Sequence, residues 1–291
     1  MIARTLVALS LVALAGERSP HASTTGKAPE RIVSVGSSVT ETLLALGLRD
    51  RIVSVDLASQ YLDGMSSLPS VGYHRTLAAE GVLSLRPDLV LLTTEAGPPP
   101  VIDQLRAARI PVVVVDDVQT RDGAFAKLRA IARAVGKESA IEPIVDENVR
   151  ALDALSVKNK TKGPKALFVY ARGNGALMVS GTKTAADGIL ALAHVENTVT
   201  GYEGYRPLSA EAMIAAAPDV IVVPERALPI IGGADGLLRA PGVASTPAGR
   251  ARRIVAVDDI LMLGFGPRVG EAATKLSAQV RAAAPQGVDG R

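Results

Sequence analysis

The sequence predicts an α/β protein of two lobes, each a mostly parallel sheet flanked by helices, with one long helix joining them. Three observations carry that prediction. Short runs of β-branched and leucine residues alternate with helical stretches, a 14-position pattern recurs once, and an apolar helical periodicity lies between the two copies. At 291 residues the chain also exceeds the roughly 150 residues of a typical domain.

In the first half, Arg31–Val35, Arg51–Val55, Leu89–Leu92 and Val112–Val115 read as strands, and Glu41–Leu48, Gly81–Leu85, Val101–Ala108 and Gly123–Val135 as helices. In the second half, Ala166–Val169, Val220–Val223 and Ile254–Val257 read as strands, and Ala185–Leu192, Ala210–Ala216 and Gly270–Ala283 as helices. The repeat aligns Ala79–Leu92 without a gap on Ala210–Val223, 131 positions later. In each copy a helix stops before a proline (Pro87 or Pro218), an aspartate follows (Asp88 or Asp219), and a buried strand begins.

Between the copies, Ile141, Ile144, Val145, Val149, Leu152 and Leu155 recur at helical spacing. Ser139-Ala-Ile-Glu142 reads as a capping box with Pro143 still in the first turn. A helix over Ala140–Leu155 would be about 24 Å long at ~1.5 Å per residue, enough to tie two lobes together. The expected divisions are 1–22 for leader and tail, 23–137 for the N-terminal lobe, 138–160 for the connecting helix and 161–291 for the C-terminal lobe.

The first residues have the pattern of a secretory signal peptide. Arg4 supplies the positive start, Leu6–Ala15 is apolar apart from Ser10, and Ala13-Leu14-Ala15 is a small-residue cleavage pattern. Cleavage is expected between Ala15 and Ala22, leaving an exported protein. The apolar run is too short for a membrane span, which needs roughly 20 residues. With no cysteine, disulfide scaffolds, thiol nucleophiles, iron–sulfur sites and a lipoprotein anchor are excluded. Three histidines, His21, His74 and His194, are too few for a multi-histidine metal cage. Thirty-two basic against 29 acidic residues, without a basic block, give no case for nucleic acid.

Other motifs fall short. Gly36-Ser37-Ser38-Val-Thr-Glu41 with Asp56 lacks the full dinucleotide glycine pattern, and Ser38 with Glu41 reads better as a capping box. No G-x-S-x-G elbow occurs, which counts against a secreted hydrolase using Ser37 or Ser38. His194 reads as a helix-end residue.

The informative segment is Leu68-Pro-Ser-Val71-Gly72-Tyr73-His74-Arg75-Thr-Leu77, at a rim of the first lobe. Here the sequence resembles the haem-binding periplasmic proteins of bacterial ABC haem importers. The likeness extends through Arg31–Val35, Ala79–Asp88, Gly181–Gly188, Gly201–Tyr205, Pro207–Glu211 and Leu263–Arg268. It implies a ligand cleft between the lobes, haem as transported cargo, no enzymatic activity and an inner-membrane ABC permease dimer as partner. An outer-membrane haem receptor system is a further expected partner, and the chain is expected to act as a monomer without membrane insertion.

The resemblance makes Tyr73 the axial ligand of ferric haem iron and Arg75 the support of its phenolate. The chemistry is sound: tyrosinate is a hard anionic donor for ferric iron, and a cation beside the oxygen helps a group that ordinarily ionises near 10. An extended segment would put Tyr73 and Arg75 on one face and His74 on the other. His74, Arg172 and Arg226 are secondary haem contacts by position, the two arginines as propionate partners. Glu80 and Glu211, equivalent in the repeat, are implied as docking carboxylates for the permease. The rivals are the same fold carrying a ferric siderophore or cobalamin, and the secreted α/β hydrolase.

Overall fold

A computed structural model describes residues 28–159, 163–171 and 176–285. The signal-peptide segment and Arg172 lie outside the described residues.

The N-terminal unit runs β1 (Ile32–Val35), α1 (Ser37–Ala45), β2 (Ile52–Val55), α2 (Ala79–Ser84), β3 (Leu89–Thr93), α3 (Pro99–Ala107), β4 (Val112–Val115) and α4 (Arg121–Ala134). Its sheet has the order β2-β1-β3-β4 and is parallel throughout. Every residue of β1 and β3 is buried, as expected of strands covered by helices on both faces.

Helix α5 (Glu138–Lys158) then runs for 21 residues. Beyond it come β5 (Lys165–Ala171), β6 (Leu177–Ser180), α6 (Ala185–Leu192), β7 (Glu196–Asn197), β8 (Tyr205–Pro207), α7 (Ala210–Ala216) and β9 (Val220–Pro224). The chain continues through α8 (Ala227–Ile230), α9 (Gly233–Leu238), α10 (Pro247–Arg250), β10 (Ile254–Val257), α11 (Asp259–Leu263) and α12 (Val269–Ala283). The second sheet has the order β10-β9-β5-β6-β8, with β7 also on β5. Strands β10, β9, β5 and β7 are parallel, whereas β6 and β8 pair antiparallel.

The repeat is geometric as well as sequential. Arg86 and Ala217, 131 positions apart, both take left-handed backbone (φ 48° and 41°) just before their prolines. Each following aspartate then caps the strand next to its own. Asp88 accepts from the N–H groups of Glu30 and Arg31, both at 2.8 Å, and Asp219 accepts from Lys165 at 3.0 Å.

Two expected capping boxes do not form. Helix α1 starts at Ser37 behind Gly36, whose φ of 107° suits glycine, and no side chain caps it. Glu41 is instead drawn to Arg268, 227 residues away, with Nε 2.6 Å from Oε1. Helix α5 starts at Glu138, so Ser139 lies inside it and Pro143 falls past the first turn. Glu142 takes a two-pronged bond from Arg129, at 2.9 Å and 2.7 Å. In both cases the carboxylate is taken by a guanidinium, which offers a full positive charge and several donors where a backbone N–H offers one dipole.

One continuous apolar core spans both lobes. It runs from Ile32 and Leu43 through Ile141, Val145 and Leu152 of α5 to Phe168 and Leu276. Smaller clusters cover the far face of each sheet. Polar ties reinforce the junction at residues 264–270. Lys127 donates to the Gly264 carbonyl at 2.8 Å, and Asn148 donates to the Pro267 carbonyl and accepts from the Gly270 N–H, each at 2.7 Å. At Gly188 of α6 a Cβ would sit 2.3 Å from the Gln119 carbonyl, so the second lobe meets the first there with no room for a side chain.

Candidate functional site

Open α/β sheets gather ligands at the carboxyl ends of their strands. At that end of β2 the chain leaves for a long loop, and its return is stitched alongside. The Val71 N–H donates to the Val55 carbonyl and the Leu57 N–H to the Gly72 carbonyl, both at 2.9 Å. Gly72, at φ 85°, turns the chain outward and Tyr73 follows in extended conformation. The next residues, His74–Thr76, close a 3-10 turn.

That turn corrects the expected alternation. Tyr73 presents its ring outward, 48% exposed. His74 folds inward instead of to the opposite face of a strand, its ring 4.5 Å from that of Tyr73 and tilted by 60°. Nδ1 of His74 lies 3.8 Å from Oδ2 of the fully buried Asp56. Among the described residues neither of these two buried atoms has a hydrogen-bond partner. Burial holds the imidazole below its ordinary range, against the pull of Asp56.

A polar string backs this arrangement. The other oxygen of Asp56 accepts from the Gly36 N–H at 3.0 Å and from the Ser59 hydroxyl, and Ser59 in turn accepts from Thr40 at 2.9 Å. The order is not that of a nucleophile triad, since the serine donates to the aspartate and is itself fully buried. Ser38 is buried within α1, and His194 bonds Ser156 at 3.0 Å.

Arg75 does not join Tyr73. Its Nη2 donates to Oε2 of Glu95 at 2.6 Å, on the turn that follows β3. Arg226, just past β9 in the second lobe, reaches across the cleft. Its guanidinium lies 4.8 Å from the ring centroid of Tyr61, while Nη2 sits 2.6 Å from Asp259 and 3.5 Å from Asp258. Its charge is already countered by two carboxylates.

Several large apolar side chains stand exposed on the two lobes. Leu57, Tyr61 and Tyr73 stand exposed in the first lobe, and Tyr170, Tyr205 and Ile230 in the second. Tyr170 and Tyr205 form a pair with ring centroids 6.0 Å apart, and burial pushes the Tyr205 phenol up. Among the described residues, no group of three or more His, Cys, Asp or Glu could hold a metal ion. Glu80 and Glu211 are exposed in the first turns of α2 and α7.

Glu95 and Tyr61 were not expected at the site. Glu95 stands two residues past the buried strand Leu89–Thr93, and its place at a strand's carboxyl end is the one signal that points to it. Tyr61 carries no comparable mark beyond being one of only eight aromatic residues.

The chain is similar to a solved structure described as the periplasmic heme-binding protein RhuT from Roseiflexus sp. RS-1 in apo form. The two are 41% identical, with 88% of this chain and 99% of that chain covered and a TM-score of 0.84. It is 28% identical over 259 residues to the uncharacterized ABC transporter substrate-binding lipoprotein YvrC of Bacillus subtilis (strain 168), covering 87% of this chain and 81% of that protein. It is 25% identical over 259 residues to the vitamin B12-binding protein of Pectobacterium carotovorum subsp. carotovorum (strain PC1), covering 88% and 90%. The family model for periplasmic binding proteins matches residues 32–261, and this chain belongs to that family.

Proposed function

We propose that this protein carries ferric haem in the cleft between its lobes, with Tyr73 as the axial ligand of the iron, and delivers it to an ABC importer of the inner membrane. The observation that carries the reading is the presentation of Tyr73. It is a phenol aimed outward from a turn that is buttressed behind by His74 and Asp56, with no competing cluster of metal ligands among the described residues. Similarity supports haem over cobalamin, at 41% identity to a haem-binding structure against 25% to a B12-binding relative.

The chemistry follows from the donor. A phenolate is anionic and hard, so ferric iron supplies most of the drive to ionise it. Exposed tyrosines on both lobes suit the flat faces of a porphyrin, which stacks well on aromatic rings. Arg75 is the cation that supports the Tyr73 phenolate, and Arg226 is a propionate partner with part of its charge already spent on Asp259. Arg172 is a further propionate partner by position. His74, turned toward Asp56, supports Tyr73 from behind rather than contacting iron.

In this reading Glu80 and Glu211 dock one lobe each onto the two permease subunits. The lobes are 23–137 and 161–291, with residues 138–160 between them. The protein is exported to the periplasm after loss of its leader, works as a monomer, and takes haem that has crossed the outer membrane through a receptor.

An absorbance titration of hemin into residues 23–291, run beside Tyr73→Ala, tests the assignment. Saturable uptake with a high-spin tyrosinate spectrum that the variant loses is the expected result. Unsaturable absorbance matching free hemin overturns it, and parallel titrations with cyanocobalamin and a ferric siderophore then identify the cargo. An unchanged spectrum in Tyr73→Ala keeps haem and removes Tyr73 as the ligand.

A further inference from the structure

Arg75 and Glu95 belong to two turns that the main chain fastens together. The Gly97 N–H donates to the His74 carbonyl at 2.9 Å, and the Leu77 N–H donates to the Gly97 carbonyl at 2.8 Å. The turn of Glu95 is also tied to the sheet, through the Thr94 N–H and the Val115 carbonyl at 2.9 Å. The backbone register therefore keeps Arg75 and Glu95 within reach of one another, and the two side chains meet at 2.6 Å. Among the described residues no hydrogen bond joins Arg75 to the Tyr73 phenol.

A guanidinium favours a neighbouring phenolate through its positive charge. With Glu95 bonded to it, Arg75 offers Tyr73 one half of an ion pair of zero net charge. Only one of its five N–H donors is committed to Glu95, so the guanidinium remains able to divide itself between carboxylate and phenolate. We propose that Glu95 is a positioning residue that holds Arg75 back from Tyr73 and so loosens the iron–tyrosinate bond enough for the cargo to be surrendered. The proposal rests on the haem reading above. A carrier must release what it binds, and a carboxylate competing for the cation that supports the ligand is a direct way to limit affinity.

The test is the rate of hemin loss to excess apomyoglobin, followed by absorbance. It compares the unsubstituted protein, Glu95→Gln, Arg75→Ala and the double variant. Glu95→Gln keeps the side-chain length and removes the charge. We expect it to lose hemin about two- to fivefold more slowly, the scale of one partly exposed ion pair, with a shift of the tyrosinate-to-iron charge-transfer band. The slowing is expected to vanish in the Arg75→Ala background, which a merely structural role of Glu95 would not produce. Equal or faster loss from Glu95→Gln, or the same slowing without Arg75, overturns the proposal and leaves the haem reading intact. Absence of saturable hemin uptake by the unsubstituted protein overturns the haem reading, and the proposal with it.

Discussion

Lys127 of the first lobe donates from its buried ammonium to the carbonyl oxygen of Gly264, 137 residues further along the chain and 2.8 Å away. Its other partner is Asp117, at 2.5 Å. Burial pulls the amine below its ordinary range, against these contacts. The bond fastens a segment of the second half of the chain onto α4, beside the shared apolar core. Lys127→Ala should therefore lower the unfolding free energy by about 2–4 kcal/mol, from a cavity plus a carbonyl and a carboxylate left without a partner. Lys127→Met, which refills the volume, should cost about half as much. Urea denaturation followed by circular dichroism measures both, and equal losses in the two variants would assign the whole effect to the lost polar bonds.

Asp88 and Asp219 do the same work in the two copies of the repeat, on different numbers of N–H groups. Asp88→Ala leaves two strand-entry donors without their acceptor and Asp219→Ala leaves one. At about 0.5–1.5 kcal/mol per bond, the first substitution should destabilise more than the second. Denaturation of the two single variants checks the order, and the reverse order would refute a capping role in proportion to bonds made.

Tyr73→Phe separates ligation from folding. The ring is half-exposed and, among the described residues, its one aromatic contact is with His74, which phenylalanine retains. Stability should stay within about 0.5 kcal/mol of the unsubstituted protein, as for other surface changes. The tyrosinate charge-transfer band of the hemin complex should disappear, because the oxygen that would bind iron is gone. A band that persists in the variant would mean that another side chain supplies the oxygen.

Glu41 gives the fold a pH dependence of definite sign. Burial raises its carboxyl above the ordinary value of 4.5, although Arg268 pulls the other way. A carboxyl that holds its proton more tightly when folded contributes stability below its unfolded value, and loses that contribution as pH rises through its folded value. Relative to Glu41→Gln, the unsubstituted protein should therefore lose unfolding free energy as pH rises from 4.5. Denaturation curves taken at half-unit steps read this directly. A relative gain over the same interval would show that Arg268 outweighs burial.

Much of this molecule is written in local patterns. Strands β1, β3 and β9 are legible because a strand buried on both faces is nearly all apolar, which leaves a near-continuous run in the sequence, interrupted in β1 by Ser34, whose hydroxyl bonds that of Thr40. The two helix–Pro–Asp–strand units are legible because the residue before a proline is pushed out of helical backbone, and the same Pro–Asp pair then opens a buried strand in both copies. Tyr73 stands out in the same way, as a rare aromatic residue on a glycine-led turn, together with the family likeness its neighbours carry.

What the tertiary structure alone decided is the partner of each charge. Glu41 and Glu142 stand where a capping box would use them, yet each bonds an arginine that folding brings close, 227 and 13 residues away. Arg75 turns to Glu95 and Arg226 to Asp259 and Tyr61. His74 turns inward because the chain curls into a 3-10 turn, which the alternation of an extended segment does not foresee. Burial patterns and proline act within a few residues and so remain readable in one dimension. An ion pair depends on which side chains meet in space, and the sequence alone carries no record of that meeting.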